Sequence, residues 1–268
     1  MTHDFDPGYG NEPFRSLVAN YPGSDVYPPD VFRSEWGPIF HRGRLDGSAR
    51  LLVLGQDPAA AESITRRVLC GAAGQRMQGF LHKLNCDEHY VCINTFLYSM
   101  YGSHGSAHVD DKRIVDYRNE WIDAICATSS IDVIVALGDL ADEAHTLWAE
   151  ASAVAPKPDY VHMLHPTYPE SAAASGTITK AAALKKLCEN WNVALNALAP
   201  VVAGAPAHPK KYGVMLRAGD YGEIPERDLP AGLPAWMRSK AGWAKRTGST
   251  EAIKRAQITV KVTAEGMA

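Results

Sequence analysis

Four short apolar runs in the first 165 residues each stop at a cluster of turn-forming or polar residues. Leu51-Leu52-Val53-Leu54 runs into Gly55-Gln56-Asp57-Pro58, and Tyr90-Val91-Cys92-Ile93 into Asn94-Thr95. Ile134-Val135-Ala136-Leu137 runs into Gly138, and Val161-His162-Met163-Leu164 into His165-Pro166-Thr167. Such runs predict strands buried on both faces of a parallel sheet, here over 50–54, 90–94, 131–137 and 159–164. Between them lie stretches of helical periodicity near 75–85, 111–128 and 139–150, and a last one near 177–198. Ile114, Trp121, Ile122 and Ile125 mark the apolar stripe of the second, and Leu184, Leu187, Trp191, Leu195 and Leu198 that of the last. The alternation predicts an α/β fold with a doubly wound central parallel four-stranded sheet flanked by helices.

The flanks differ from this core. Residues 1–46 are rich in Pro, Gly and aromatics, including Tyr9, Phe14, Tyr21, Tyr27, Phe32, Trp36 and Phe40. That composition predicts an N-terminal arm wrapped on the domain, because disordered segments are poor in aromatics. Residues 47–200 form the expected core, and 201–268 a C-terminal extension entered through an Ala/Pro/Gly-rich linker. From Lys210 onward 11 Lys/Arg stand against 6 Asp/Glu, so the extension is basic although the whole chain is −3. Its segment from Trp236 to Arg246 interleaves aromatics with cations, which suits either base stacking and phosphate contact or packing back on the core.

At 268 residues and 46% hydrophobic content, the chain is long enough for one full core. It shows no spanning apolar stretch and no opening signal pattern, so a soluble cytoplasmic protein, a monomer without membrane contact, is expected. The five cysteines, Cys70, Cys86, Cys92, Cys126 and Cys188, are odd in number and contain no C-x-x-C pair. That spacing disfavours a disulfide framework, a structural zinc site or an iron–sulfur cluster, and no cofactor is expected.

In parallel sheets, ligands bind beyond the carboxyl ends of the strands. Gln56, Asp57, Asn94 and His165, far apart in sequence, can therefore converge there. Taken alone each motif is weak: a Gly-x-x-Pro turn is common, an Asn at a strand end often only braces a loop, and His-Pro usually marks a turn. Together, an amide, a carboxylate and an imidazole at successive strand ends suit recognition and cleavage of a nucleobase.

The combination resembles the uracil-DNA glycosylase superfamily. Gly55-Gln56-Asp57-Pro58 repeats the start of the family-one Gly-Gln-Asp-Pro-Tyr-His motif, and Cys92-Ile93-Asn94-Thr95 mirrors its Leu-Leu-Asn-Thr strand end. His165-Pro166-Thr167-Tyr168-Pro169-Glu170-Ser171 approximates its His-Pro-Ser-Pro-Leu-Ser loop. Glu62 and Leu69-Cys70-Gly71-Ala72-Ala73-Gly74 fall over the second Glu and the Phe-Val-Gly-x-x-Gly of the thermophile-type families. The likeness covers roughly residues 30–198. Ala59 and Ala60 replace the Tyr-His of family one, Leu69 stands where an aromatic stacks on the base, and the iron–sulfur cysteines are missing.

This resemblance implies a repair enzyme that flips uracil out of single- or double-stranded DNA and hydrolyses its N-glycosidic bond, releasing free uracil and leaving an abasic site. Asp57 would stabilise the sugar cation and position a water, with Glu62 in support. His165 would donate to the leaving base. Asn94 would read N3–H and O4, with Gln56, Leu69 and Ala59 completing the base pocket. Thr167, Tyr168, Ser171, Gly138 and Ser63 are the candidate DNA contacts, Tyr168 lying where the superfamily's intercalating loop falls. Two other readings stay open on the residues: a binding module for uracil or abasic DNA without turnover, and a hydrolase of free nucleosides.

Overall fold

The four expected parallel strands form, joined by one the pattern did not reveal. Strands β2 (Leu51–Gly55), β3 (Tyr90–Asn94), β4 (Val133–Leu137) and β5 (Asp159–Met163) lie parallel, and β1 (His41–Gly43) adds antiparallel to β3. The spatial order is β1-β3-β2-β4-β5. β1 falls inside the predicted arm, and its three residues, His-Arg-Gly, are too short and polar to read as a strand. The computed structural model describes residues 5, 7–102 and 105–262.

The helices are α1 (Phe14–Ala19), α2 (Ala60–Thr65), α3 (Ala72–Lys83), α4 (Lys112–Thr128), α5 (Asp139–Ala151), α6 (Tyr168–Ala174), α7 (Lys180–Leu198), α8 (Trp236–Ser239) and α9 (Glu251–Ala256). A two-stranded ribbon, β6 (Ala244–Lys245) with β7 (Thr259–Val260), closes the C-terminal part. Asp111 caps α4 by accepting from the Arg113 amide at 3.0 Å, and Thr179 caps α7 by accepting from the Ala182 amide at 3.2 Å. The short helices α1, α2 and α6 carry too little periodicity to be predicted.

Successive strand residues point to opposite faces. Leu52, Leu54, Val91, Ile93, Ile134 and Ala136 therefore meet Ile114, Trp121 and Ile125 of α4 and Trp148 of α5 on one face. Leu51, Val53, Tyr90, Cys92, Val133 and Val135 meet Phe80 of α3 and Leu187, Trp191 and Leu195 of α7 on the other. β2, β3 and β4 are buried throughout, as expected. β5 departs from that expectation: it has a strand neighbour on one side only, and Asp159 and His162 are exposed.

The extension packs on the core through buried charge. Asp228, 3% exposed, accepts from Arg42 at 3.1 Å and is also held by Arg44 and the Tyr90 hydroxyl. Asp220 pairs with Lys83 of α3 at 2.8 Å. Trp243 is buried, donates its indole N–H to the Met237 carbonyl at 3.0 Å and packs edge-on to Trp236. That tryptophan therefore serves packing, while Lys210, Lys211, Arg217, Lys245 and Lys261 face solvent. Among the described residues, no helix is long and apolar enough to cross a membrane.

Candidate active site

From β2 the chain passes on one side to β3, and from β4 on the other side to β5, so the connections diverge between β2 and β4. Such a switch point opens a crevice at the carboxyl ends of the strands. Gly55-Gln56-Asp57 leaves β2 there, Gly138 leaves β4, and His165 follows β5. Asn94 ends β3 on the far side of β2, three strand spacings from β5, or about 15 Å.

The first turn is fixed by β3. The Thr95 amide and hydroxyl both donate to the Gly55 carbonyl at 2.9 Å, and the Phe96 amide donates to the Gln56 carbonyl at 3.0 Å. A Cβ at Gly55 would lie 2.3 Å from Asn94 Oδ1, so a larger residue there would displace the Asn94 side chain. Asp57 is half-buried; its Oδ2 accepts from the Met100 amide at 3.0 Å and its Oδ1 from Gln56 Nε2 at 3.2 Å. Burial raises its pKa, while the Met100 amide, Arg246, Gln56 and Arg33 oppose the rise. Gln56 thus turns its side-chain amide toward Asp57.

His165 is set by its own loop. The Thr167 amide donates to His165 Nδ1 at 3.2 Å, with Thr167 Oγ1 2.9 Å from the same nitrogen. An Nδ1 that accepts leaves the proton of a neutral ring on Nε2. Burial first, and Arg76 second, lower this pKa to about 4, so the ring is neutral at physiological pH. Arg76 of α3 also ties the loop down, donating to the Pro166 carbonyl and to both carboxylate oxygens of Glu170 at 2.9 Å. Sequence reasoning passed over Arg76 because a mid-helix arginine carries no signal of its partner 94 residues on.

The turn at Gly138 adopts φ +84°, and a Cβ there would approach the His165 Cβ to 3.2 Å. This glycine therefore seats the histidine. Its amide is committed to the Met163 carbonyl at 2.8 Å, and Asp139 and Asp142 fill the first turn of α5 with negative charge. Both facts argue against the phosphate contact expected at Gly138.

A cleft of about 450 Å³ opens beside these loops, walled by Ala59, Glu62, Gly71, Thr167, Lys245 and Arg246 among others. Glu62 is buried; Oε1 accepts from the Cys70 amide at 3.1 Å, whereas Oε2 lacks a partner among the described residues. Burial raises its pKa, and the nearby Asp57 adds to the rise. Asp57, Asn94 and His165 do not line this cleft. Asn94, 8% exposed, borders a separate void of about 10 Å³ with Thr95, Arg118 and Trp121.

The remaining sequence-predicted residues are dispersed. Ala59 is exposed and precedes α2, and Ser63, one turn on, donates to the Ala59 carbonyl at 3.2 Å. Leu69 is buried in the core at φ +54°, not poised as an open stacking platform; its carbonyl would lie 1.5 Å from a Cβ on Gly74. Tyr168 opens α6 and packs half-buried on the core, with the Lys186 ammonium 5.4 Å over its ring, unlike a protruding wedge. Ser171 is exposed and donates to the Tyr168 carbonyl at 3.1 Å. Among the described residues, no group of three His, Cys, Asp or Glu side chains comes together that could hold a metal ion.

Residues 42–190 match the family described as the uracil DNA glycosylase superfamily. The match begins in β1 and ends in α7, so it takes in every strand-end residue described above and stops short of Arg246. No curated protein matches the chain. With more than half its length matched, and with the matched part folded as a doubly wound sheet bearing those residues at its carboxyl edge, the chain belongs to the uracil DNA glycosylase superfamily.

Proposed function

We propose that this member hydrolyses the N-glycosidic bond of uracil in DNA, releasing the free base and leaving an abasic site. The observation that carries the reading is a neutral His165, its Nδ1 occupied by the Thr167 amide, at the same sheet edge as the held carboxylate of Asp57. In the reaction, the C1′–N1 bond breaks with its electron pair leaving on the base. Asp57 stabilises the cationic sugar and orients the water whose oxygen attacks C1′; the proton that this water sheds balances the one taken up by the departing uracil anion. The proton on His165 Nε2 hydrogen-bonds uracil O2 as negative charge develops there, so the ring works without being charged. DNA is held by the exposed cations of the extension, and entry of the flipped base requires the loops around Asp57, Asn94 and His165 to open, since none of the three lines the neighbouring cleft.

Asn94 supplies the amide that pairs with N3–H and O4 of uracil and mismatches cytosine. The void beside it is smaller than a base, so reading by Asn94 requires its walls to give way when DNA binds. Asn94→Asp weakens uracil excision, because a carboxylate cannot donate to O4, and shifts preference toward cytosine. Excision assays on matched uracil and cytosine duplexes check this. A variant that still strongly prefers uracil would assign base reading to main-chain groups.

Ala59 stands where family one has a tyrosine wall at C5. An absent wall in an apolar pocket changes discrimination by only about 10–200-fold. Uracil therefore remains the best substrate, while 5-hydroxymethyluracil is excised better than a tyrosine wall would allow. A sharp cutoff at 5-fluorouracil would show that another side chain has rebuilt the wall.

A further inference from the structure

Arg246 lies outside the family match and touches the Asp57 turn. Its Nη2 donates to the Pro58 carbonyl at 3.3 Å and to the Ser99 hydroxyl. Pro58 follows Asp57, and Ser99 precedes Met100, whose amide holds Asp57 Oδ2. One guanidinium thus spans the two backbone segments between which the carboxylate is held.

Arg33 grips the same place from the N-terminal arm. Its amide donates to the Ser99 carbonyl at 2.8 Å, and its Nη1 donates to Ser99 Oγ at 3.1 Å and to the Met100 carbonyl. Both guanidiniums rest on the Trp36 ring, Arg33 at 5.1 Å and Arg246 at 5.8 Å. Two cations brought to one serine repel each other. An opposing anion offsets that cost: Asp57 faces both guanidiniums, Glu62 faces Arg246 and Glu35 faces Arg33.

The placement of Arg246 is built rather than incidental. It follows β6, which pairs with β7, and that ribbon is anchored by the buried Trp243. Its Nε is buried and has no hydrogen-bond partner among the described residues, so the side chain is drawn away from solvent at the cost of one unsatisfied donor.

We propose that Arg246 is a positioning residue for Asp57, tying the Pro58 carbonyl to Ser99 so that the carboxylate stays against the Met100 amide. The C-terminal extension then completes the active site of the matched domain instead of serving only as a basic appendage. The inference rests on Asp57 being the working carboxylate. The charged groups facing Asp57 are Arg246 from the extension, Arg33 from the arm and Glu62 from α2.

The test uses the full-length protein and two readouts. The first is the Asp57 carboxyl titration followed by carbon NMR without DNA, assigned through Asp57→Asn. The second is single-turnover uracil excision. In Arg246→Ala the titration rises by about 0.5 or more, as expected when an opposite charge is withdrawn, and excision slows by about tenfold or more at saturating DNA. Arg246→Lys restores most of the titration. Lys157→Ala, which removes an exposed cation ahead of β5 at the opposite end of the sheet, changes neither, whereas Lys261→Ala, which removes an exposed cation of the extension, weakens DNA affinity and leaves the titration in place. An Asp57 titration unmoved in a folded Arg246→Ala protein overturns the inference. So does a loss confined to DNA affinity and shared equally by Lys261→Ala. A wild-type protein that excises no uracil would instead overturn the proposed function, leaving the titration to decide the role of Arg246.

Discussion

Asp57→Asn lowers uracil excision by about 10²–10⁴-fold, the usual worth of a positioned charge-stabilising or acid–base group, and leaves binding to uracil-containing DNA intact. The substitution keeps the shape and the bond from the Met100 amide but removes the negative charge that, in the proposed reaction, stabilises the developing sugar cation. Single-turnover excision beside a filter-binding or anisotropy measurement separates the two effects. Near-normal turnover would move the water-positioning role to Glu62, which sits nearby with one oxygen unpartnered among the described residues. His165→Ala loses activity in the same range through the leaving base. The pH profile follows from the same two groups. Burial raises the Asp57 pKa above the ordinary aspartate value of 3.8, so activity is lost on acidification at a pH above that value, as the anion is protonated. His165 stays neutral down to about 4 and therefore contributes no inflection near 6.5.

Asp228→Ala destabilises the fold by about 3–5 kcal/mol, because it strands two buried arginines without their anion. Arg42 is fully buried and Arg44 is 5% exposed, and Asp228 bonds to both. The melting temperature falls by on the order of 10 °C. Glu223→Ala is the contrasting case: its pair with Arg238 is half-exposed, and loss of such a surface pair costs at most about 1 kcal/mol. Deletion of residues 210–268 removes Asp228 and Asp220 together, so it costs stability as well as DNA affinity. Thermal melts of the three variants check the order. A truncated protein that melts like wild type would show that the core tolerates these uncompensated cations. The extension sends two of its acidic groups inward, to Arg42 and Arg44 and to Lys83, and this leaves its solvent face richer in cations than its net charge implies.

The parallel core was legible because burial on both faces writes itself as continuous apolar runs, and β2, β3 and β4 fall within two residues of the runs that predicted them. The amphipathic helices α4 and α7 were legible for the same reason. β1 was not, since its Arg42 is buried by an ion pair with a residue 186 positions away, which no local pattern encodes. Tyr168 and Leu69 were placed by motif position alone, and each turns its ring or side chain into the core because α6 and the left-handed turn before α3 bury them. The strand-end residues carry a turn signature in the sequence, whereas the groups that hold them do not. Met100, Arg33, Arg76 and Arg246 act through backbone groups and long-range pairs, and these leave no spacing signature in the chain.

The most direct measurement is mass spectrometry of an oligonucleotide bearing one uracil after incubation with the full-length protein, run beside free deoxyuridine. Free uracil and an intact strand with one abasic site are expected, with no comparable cleavage of the nucleoside. Tight binding with the uracil still attached, or hydrolysis of deoxyuridine in preference to the oligonucleotide, would contradict that expectation.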